Sequence, residues 1–123
     1  MNIEKRMAGD VMVLSLVGDM TLDGSGATMI ADKVRSEMVQ GQNRFLLDLG
    51  HVRYIDSAGL GELIHAFAAV RNRGGAMKLL NVTKRVNELL ILTRLLTVFE
   101  SFDTEAEALA SYGPPRATGA SGA

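Results

Sequence analysis

Asp56 and Ser57 stand side by side ahead of an apolar helical repeat, with glycine at 59 and 61. A carboxylate beside a hydroxyl at that place can cap the helix, attack a substrate or accept a modifying group. Capping needs only one of the two, Asp56 or Ser57, to take a free backbone N–H. It does not account for the glycines, each of which costs up to about 1 kcal/mol inside a helix relative to alanine. Two of them in the first turns predict a surface that another backbone or a phosphate approaches closely, beside an exposed Ser57 hydroxyl. As a nucleophile Ser57 lacks support. The nucleophile-elbow pattern requires glycine where Ile55 stands. His65, eight residues on, lies about 12 Å along the same helix, and His51 reads as a solvated loop histidine.

Other chemistries are excluded by residue type. The chain has no cysteine and two histidines, which removes thiol catalysis, zinc ribbons, iron–sulfur sites, disulfides and His-rich metal sites. Gly24-Ser25-Gly26 opens like a dinucleotide fingerprint, but Met29 occupies the place of the third glycine, and no phosphate-loop lysine follows any glycine run. No cofactor and no metal are expected.

The elements that must position Ser57 follow from hydrophobic spacing. Asn2 to Met7 extends, Ala8-Gly9-Asp10 turns, and Val11 to Val17 reads as a buried strand ending at Gly18-Asp19. Ala27, Ile30, Ala31, Val34 and Met38 mark one stripe of a helix that Gly41 stops. Phe45 to Leu49 is a second buried strand, and Gly50 to Asp56 reads as a loop into the helix of Leu60, Leu63, Ile64 and Phe67. Ala76 to Leu80 is a third strand. Thr83 caps a helix bearing Val86, Leu89 and Leu90, and Val98 to Phe102 is a short last strand. Thr104 with Glu107 forms a capping box for a final helix to about Ser111. The Gly/Pro/Ala-rich end from Gly113 has nothing to bury and is expected to be disordered. Strands alternating with helices predict an α/β fold with a mixed sheet, mostly parallel, an antiparallel N-terminal hairpin strand and about four helices, as one domain over residues 1–112 with a tail at 113–123. The loops after the parallel strands then share one edge. That edge gathers Asp19, Thr21 and Asp23, then Asp56 and Ser57, then Asn81 and Thr83.

Size and charge agree with a single domain. The chain has 123 residues, 47% hydrophobic and 22% charged, with 13 Lys+Arg against 14 Asp+Glu. A net charge of -1 weighs against nucleic acid or anionic lipid as partner. No apolar run approaches the roughly 20 residues of a membrane span, and Met1 to Arg6 is not followed by the apolar stretch of a secretory signal. No membrane insertion and a cytoplasmic location are expected.

Leu47-Asp48-Leu49 followed by Tyr54-Ile55-Asp56-Ser57-Ala58-Gly59-Leu60-Gly61, with Leu16-Val17-Gly18-Asp19, Gly74-Gly75 and Leu95-Leu96 in support, resembles the bacterial anti-sigma factor antagonists, single STAS domains of the anti-anti-sigma type. The resemblance covers roughly Ile3 to Leu109. It implies a non-enzymatic, protein-binding switch in transcription regulation. The unphosphorylated domain binds an anti-sigma factor that is also a serine kinase, which frees a sigma factor. Phosphorylation of the serine after the aspartate, here Ser57, ends the complex, and a serine phosphatase resets it. The implied partner surface is Asp19, Thr21 and Asp23 with Asp56, Ser57, Ala58, Gly59, Leu60 and Gly61. Many members carry a second acidic residue where this chain has Thr21, and Asp23 stands as a substitute. The alternatives are a STAS scaffold or transporter-complex subunit that is not phosphorylated, with Ser57 only a cap, and a small nucleotide- or lipid-binding module.

Overall fold

A two-residue turn at Gly9-Asp10 joins β1 (Asn2–Ala8) to β2 (Val11–Met20), and the pair runs antiparallel from Ala8↔Val11 to Asn2↔Val17. The computed structural model describes residues 2–21 and 29–113. Asp23, the Gly24-Ser25-Gly26 segment and residues 114–123 of the tail lie outside the described residues. After β2 come α1 (Met29–Val39), β3 (Arg44–Ile55), α2 (Ser57–Asn72), β4 (Ala76–Leu80), α3 (Lys84–Leu92), β5 (Ser101–Phe102) and α4 (Glu105–Ser111). The five strands lie in the order β1-β2-β3-β4-β5, and every pairing after the first is parallel. The expected α/β architecture is the observed one.

Alternation along the strands divides the interior in two. Met12, Leu14 and Leu16 of β2, Phe45, Leu47 and Leu49 of β3, and Met77 and Leu79 of β4 meet Ile30, Ala31, Val34 and Met38 of α1, Leu63, Ala66 and Val70 of α2, and Val86 and Leu90 of α3. On the opposite face Val11, Val13, Leu46 and Leu80 pack with Ala108 of α4, backed by Phe102, Leu109 and Tyr112. The caps act where the side chains allow. Thr83 Oγ1 accepts from Val86 N and Thr104 Oγ1 from Glu107 N, and Gly41 ends α1 at φ +99°.

Two strands are longer than their hydrophobicity indicates. β2 runs through Gly18-Asp19 to Met20, and β3 continues through the stretch that reads as a loop to Ile55. Between Ser15↔Asp48 and Val17↔His51, β2 advances by two residues and β3 by three; between Gly18↔Val52 and Asp19↔Tyr54 the steps are one and two. These are β-bulges, each with one extra residue on β3. The buried positions of β3 after Leu47 are therefore Leu49, Val52 and Ile55, spaced two, three and three, and the period-two signature disappears. β5 is shorter than expected. Val98 lies in a turn, its N–H donating to Leu95 O, and Phe99 turns inward against Phe67 with ring centroids 4.9 Å apart.

Candidate partner-binding site at the start of α2

Extension of β2 and β3 carries Met20 and Ile55 to the same level of the sheet, paired with each other. The chain enters α2 directly from Ile55. Asp56 is the N-cap, in extended conformation (φ -113°, ψ -175°), and its Oδ1 accepts from Gly59 N at 2.9 Å. Its backbone carbonyl accepts from Leu60 N at 2.9 Å, and its own N–H donates to Met20 O at 3.2 Å. The start of α2 is thus fastened to the end of β2 through one residue. With Asp56 as the cap, Ser57 is the first helical residue and is exposed.

The two glycines have different reasons. A Cβ on Gly59 would stand 2.0 Å from Met20 O and 2.9 Å from Met20 Cβ. The close approach expected of this position is therefore made by the chain's own β2. Around Gly61 a Cβ would meet nothing within 4 Å, so its lack of a side chain serves no contact among the described residues. Leu60 is 5% exposed and belongs to the core. Of the segment singled out in the sequence, Ser57, Ala58 and Gly61 retain exposed surface, while Gly59 and Leu60 turn inward.

Beside them, Asp19 near the end of β2 pairs with Arg53 of β3, Nε to Oδ1 3.4 Å, both side chains exposed. Half-buried Thr21 follows directly. The Arg85 guanidinium of α3 lies 5.5 Å from the centroid of the Tyr54 ring. Arg53 and Arg85 are absent from the sequence reading, and Tyr54 enters it only as part of the motif: the bulged end of β3 does not look like a strand, and the approach of Arg85 on α3 to Tyr54 is a long-range contact. The side chains of Asn81 and Thr83 are engaged elsewhere. β4 ends at Leu80, level with Asp48; Asn81 Nδ2 donates to Asp48 Oδ1 at 3.3 Å, and Thr83 caps α3. His51 is four residues before the end of β3, about 13 Å back along the strand, so nothing places an imidazole as base for Ser57. Further down α2, the buried Glu62 accepts from Ala31 N in the first turn of α1 at 3.4 Å, which ties the two helices on this face together. Among the described residues no group of three or more potential metal ligands occurs, and no helix is long and apolar enough to cross a membrane.

The STAS domain family model matches residues 2–108. The chain belongs to the STAS domain family. An anti-sigma F factor antagonist of Paenibacillus polymyxa is 26% identical to this STAS domain over 114 residues, 89% of this chain and 92% of the relative. A Thermotoga neapolitana protein, provisionally named an anti-sigma factor antagonist, is 36% identical over 70 residues; that match spans 57% of this chain and only 62% of the relative. The Bacillus anti-sigma factor antagonist SpoIIAA, solved in unphosphorylated and phosphorylated forms, superposes with TM-scores of 0.68 and 0.69 at 18% identity. Its two structures cover 90% of this chain and are themselves covered to 97% and 99%. At that identity the likeness speaks for the fold.

Proposed function

We propose that this STAS domain is an anti-sigma factor antagonist whose partner surface is the exposed start of α2 and whose switch is phosphorylation of Ser57. In this reading the unphosphorylated chain binds an anti-sigma factor with serine kinase activity in the cytoplasm and so releases a sigma factor. The kinase then modifies Ser57, and a serine phosphatase restores the binding form. The chain itself catalyses nothing. Ser57, Ala58 and Gly61 offer the contact surface of α2, and Asp19 near the end of β2 and Thr21 just after it the neighbouring contacts, with Asp56 holding the helix start; Asp23 is assigned to the same surface on the sequence alone.

The observation that carries this reading is the division of labour between Asp56 and Ser57. Asp56 takes the cap, and no other described residue hydrogen-bonds the Ser57 hydroxyl. A hydroxyl at an exposed first helical position, unused by the other described residues, can be modified without unfolding the domain. A phosphate there adds about -1.5 to -2 charges at the end of a helix whose dipole favours an anion. The fold tolerates it. A partner packed on Ser57 must desolvate it, and a loss of about 3–4 kcal/mol weakens a complex by a few hundredfold. The names of the relatives, antagonists of anti-sigma factors, support the same partner class.

The test is incubation with serine kinases encoded by the same organism, location of the phosphate by mass spectrometry, and titration of both forms against the active kinase. Phosphate on Ser57 with loss of binding is expected. Phosphate on Ser101 with Ser57 untouched, or binding unaffected by phosphate on Ser57, would overturn the switch.

A further inference from the structure

β1 is the outer strand of the sheet, and among the described residues no strand pairs with its far edge. The hairpin fixes which of its backbone groups face outward. A two-residue turn closes on a hydrogen-bonded pair, here Ala8↔Val11, and the pattern alternates from there. Arg6, Glu4 and Asn2 therefore bond to β2, while Ile3, Lys5 and Met7 present N–H and C=O to solvent. Charge or a bulge can close such an edge to a further strand; β1 pairs with β2 without a register shift, and its exposed charges, Glu4, Lys5 and Arg6, are of both signs, so they admit a partner strand only in a register that pairs them.

We propose that this edge joins two copies of the chain, with the β1 strands antiparallel about a two-fold axis through Lys5. In that register Ile3 faces the second copy's Met7, and Glu4 faces its Arg6. Lys5, Ile3 and Met7 form the hydrogen-bonded pairs, so Glu4 and Arg6 fall at the closer, non-hydrogen-bonded positions where side chains approach best. Charge selects this register. A two-residue slip puts Glu4 against Glu4 or Arg6 against Arg6, and a one-residue slip puts opposite faces together. Glu4 has no ion partner among the described residues. Arg6 donates through both Nη1 and Nη2 to Glu105 of α4, yet its side chain is still 51% exposed, so in this register Glu4 of the other copy meets a guanidinium that solvent still reaches. Met7 is 50% exposed and gains an apolar neighbour in Ile3. The facing Lys5 side chains are each neutralised by their own Glu37, Nζ to Oε2 2.8 Å. The interface is isologous and closes as a dimer. It is small, so association is weak and concentration-dependent.

The test is sedimentation equilibrium of the wild type and four variants over about a hundredfold range of concentration. The wild type shifts from monomer towards dimer. Glu4→Arg and Arg6→Glu each weaken association about tenfold or more, and the double substitution recovers most of it. Met7→Pro removes an outward N–H that β2 does not use and abolishes the dimer with an unchanged circular dichroism spectrum. A wild type that stays monomeric, a double variant no better than the singles, or a Met7→Pro chain that still dimerises overturns the proposal. Thermal melts of each variant separate loss of pairing from loss of fold.

Discussion

Gly59 rests on the carbonyl of Met20: a methyl group at position 59 would lie 2.0 Å from that oxygen. The neighbouring N–H of Asp56 donates to the same oxygen. The tip of β2 is therefore the platform on which α2 starts, and the position of Ser57 follows from it.

Gly59→Ala is expected to lower stability by about 3 kcal/mol, because the obstacle is backbone and cannot rotate away. Gly61→Ala should do the opposite. A Cβ there meets nothing within 4 Å, and alanine gains up to about 1 kcal/mol of helix propensity. Urea denaturation of both variants checks the contrast. If Gly61→Ala is more stable yet binds the partner less well, the bare backbone at Gly61 belongs to the interface.

Lys78 is 8% exposed on β4 and works at the far end of α4. Its Nζ donates to Ser111 O at 3.3 Å and Ser111 Oγ at 2.9 Å, pairs with Glu100 at 3.4 Å, and lies 4.4 Å from the Tyr112 ring centroid. A cation at a helix C-terminus meets the unpaired carbonyls and the negative end of the dipole. Lys78→Met keeps the volume and removes the cation, at an expected cost of about 1–2 kcal/mol. Hydrogen exchange should show the amides of α4 opening first while α2 keeps its protection. Uniform loss across the domain would mean that Lys78 supports the whole sheet rather than α4.

Glu37 of α1 hydrogen-bonds Lys5 of β1 and lies 3.1 Å from Lys33, and these cations hold its carboxyl below the ordinary value of 4.5. A folded pKa below the unfolded one stabilises the fold above pH 4.5, and that contribution is lost as the pH falls through the lower folded value. Glu105 beside Arg6 shifts in the same direction for the same reason. Melting temperature should fall as pH drops below about 4.5, and Glu37→Gln should flatten part of that fall. An identical pH profile for the variant would show that the Lys5–Glu37–Lys33 group contributes nothing to stability.

The fold was legible because most strands and helices here obey one period each. Ile30, Ala31, Val34 and Met38 keep helical spacing and are buried on α1, and Thr104 with Glu107 marks the start of α4. Asp56 and Ser57 were legible because a helix start needs one capping side chain, and this one has two polar residues followed by two glycines that capping does not require. The extension of β3 was hidden because its bulges move the buried residues to Leu49, Val52 and Ile55, and a strand with an extra residue at each bulge has no period to detect. That concealed the Asp19–Arg53 pair, which exists only through the resulting register. The reason for Gly59 was equally hidden: a contact with Met20, 39 positions earlier in the chain, leaves no trace in local sequence.

Substitutions at Ser57 separate fold from switch. Asp56 carries the cap, so Ser57→Ala should change stability by less than about 0.5 kcal/mol and leave binding intact while abolishing phosphorylation. Ser57→Asp sets the two electrostatic outcomes of one added charge against each other. In the free domain the new carboxylate stands at the N-terminus of α2, a place worth about 0.3–1 kcal/mol to an anion. The Asp56 carboxylate opposes it, but that group is turned to Gly59 N, and screening at an exposed position weakens the repulsion. The melting temperature should stay level or rise slightly. Against a partner packed on α2 the same carboxylate is buried without a cation, and an unpaired buried charge costs several kcal/mol; affinity should fall at least about tenfold. Calorimetric titration with the kinase that modifies Ser57, alongside thermal melts, measures both halves. Full affinity in a stably folded Ser57→Asp chain would place the partner surface away from the start of α2, and Ser57 would then be only the first residue of a helix that Asp56 caps.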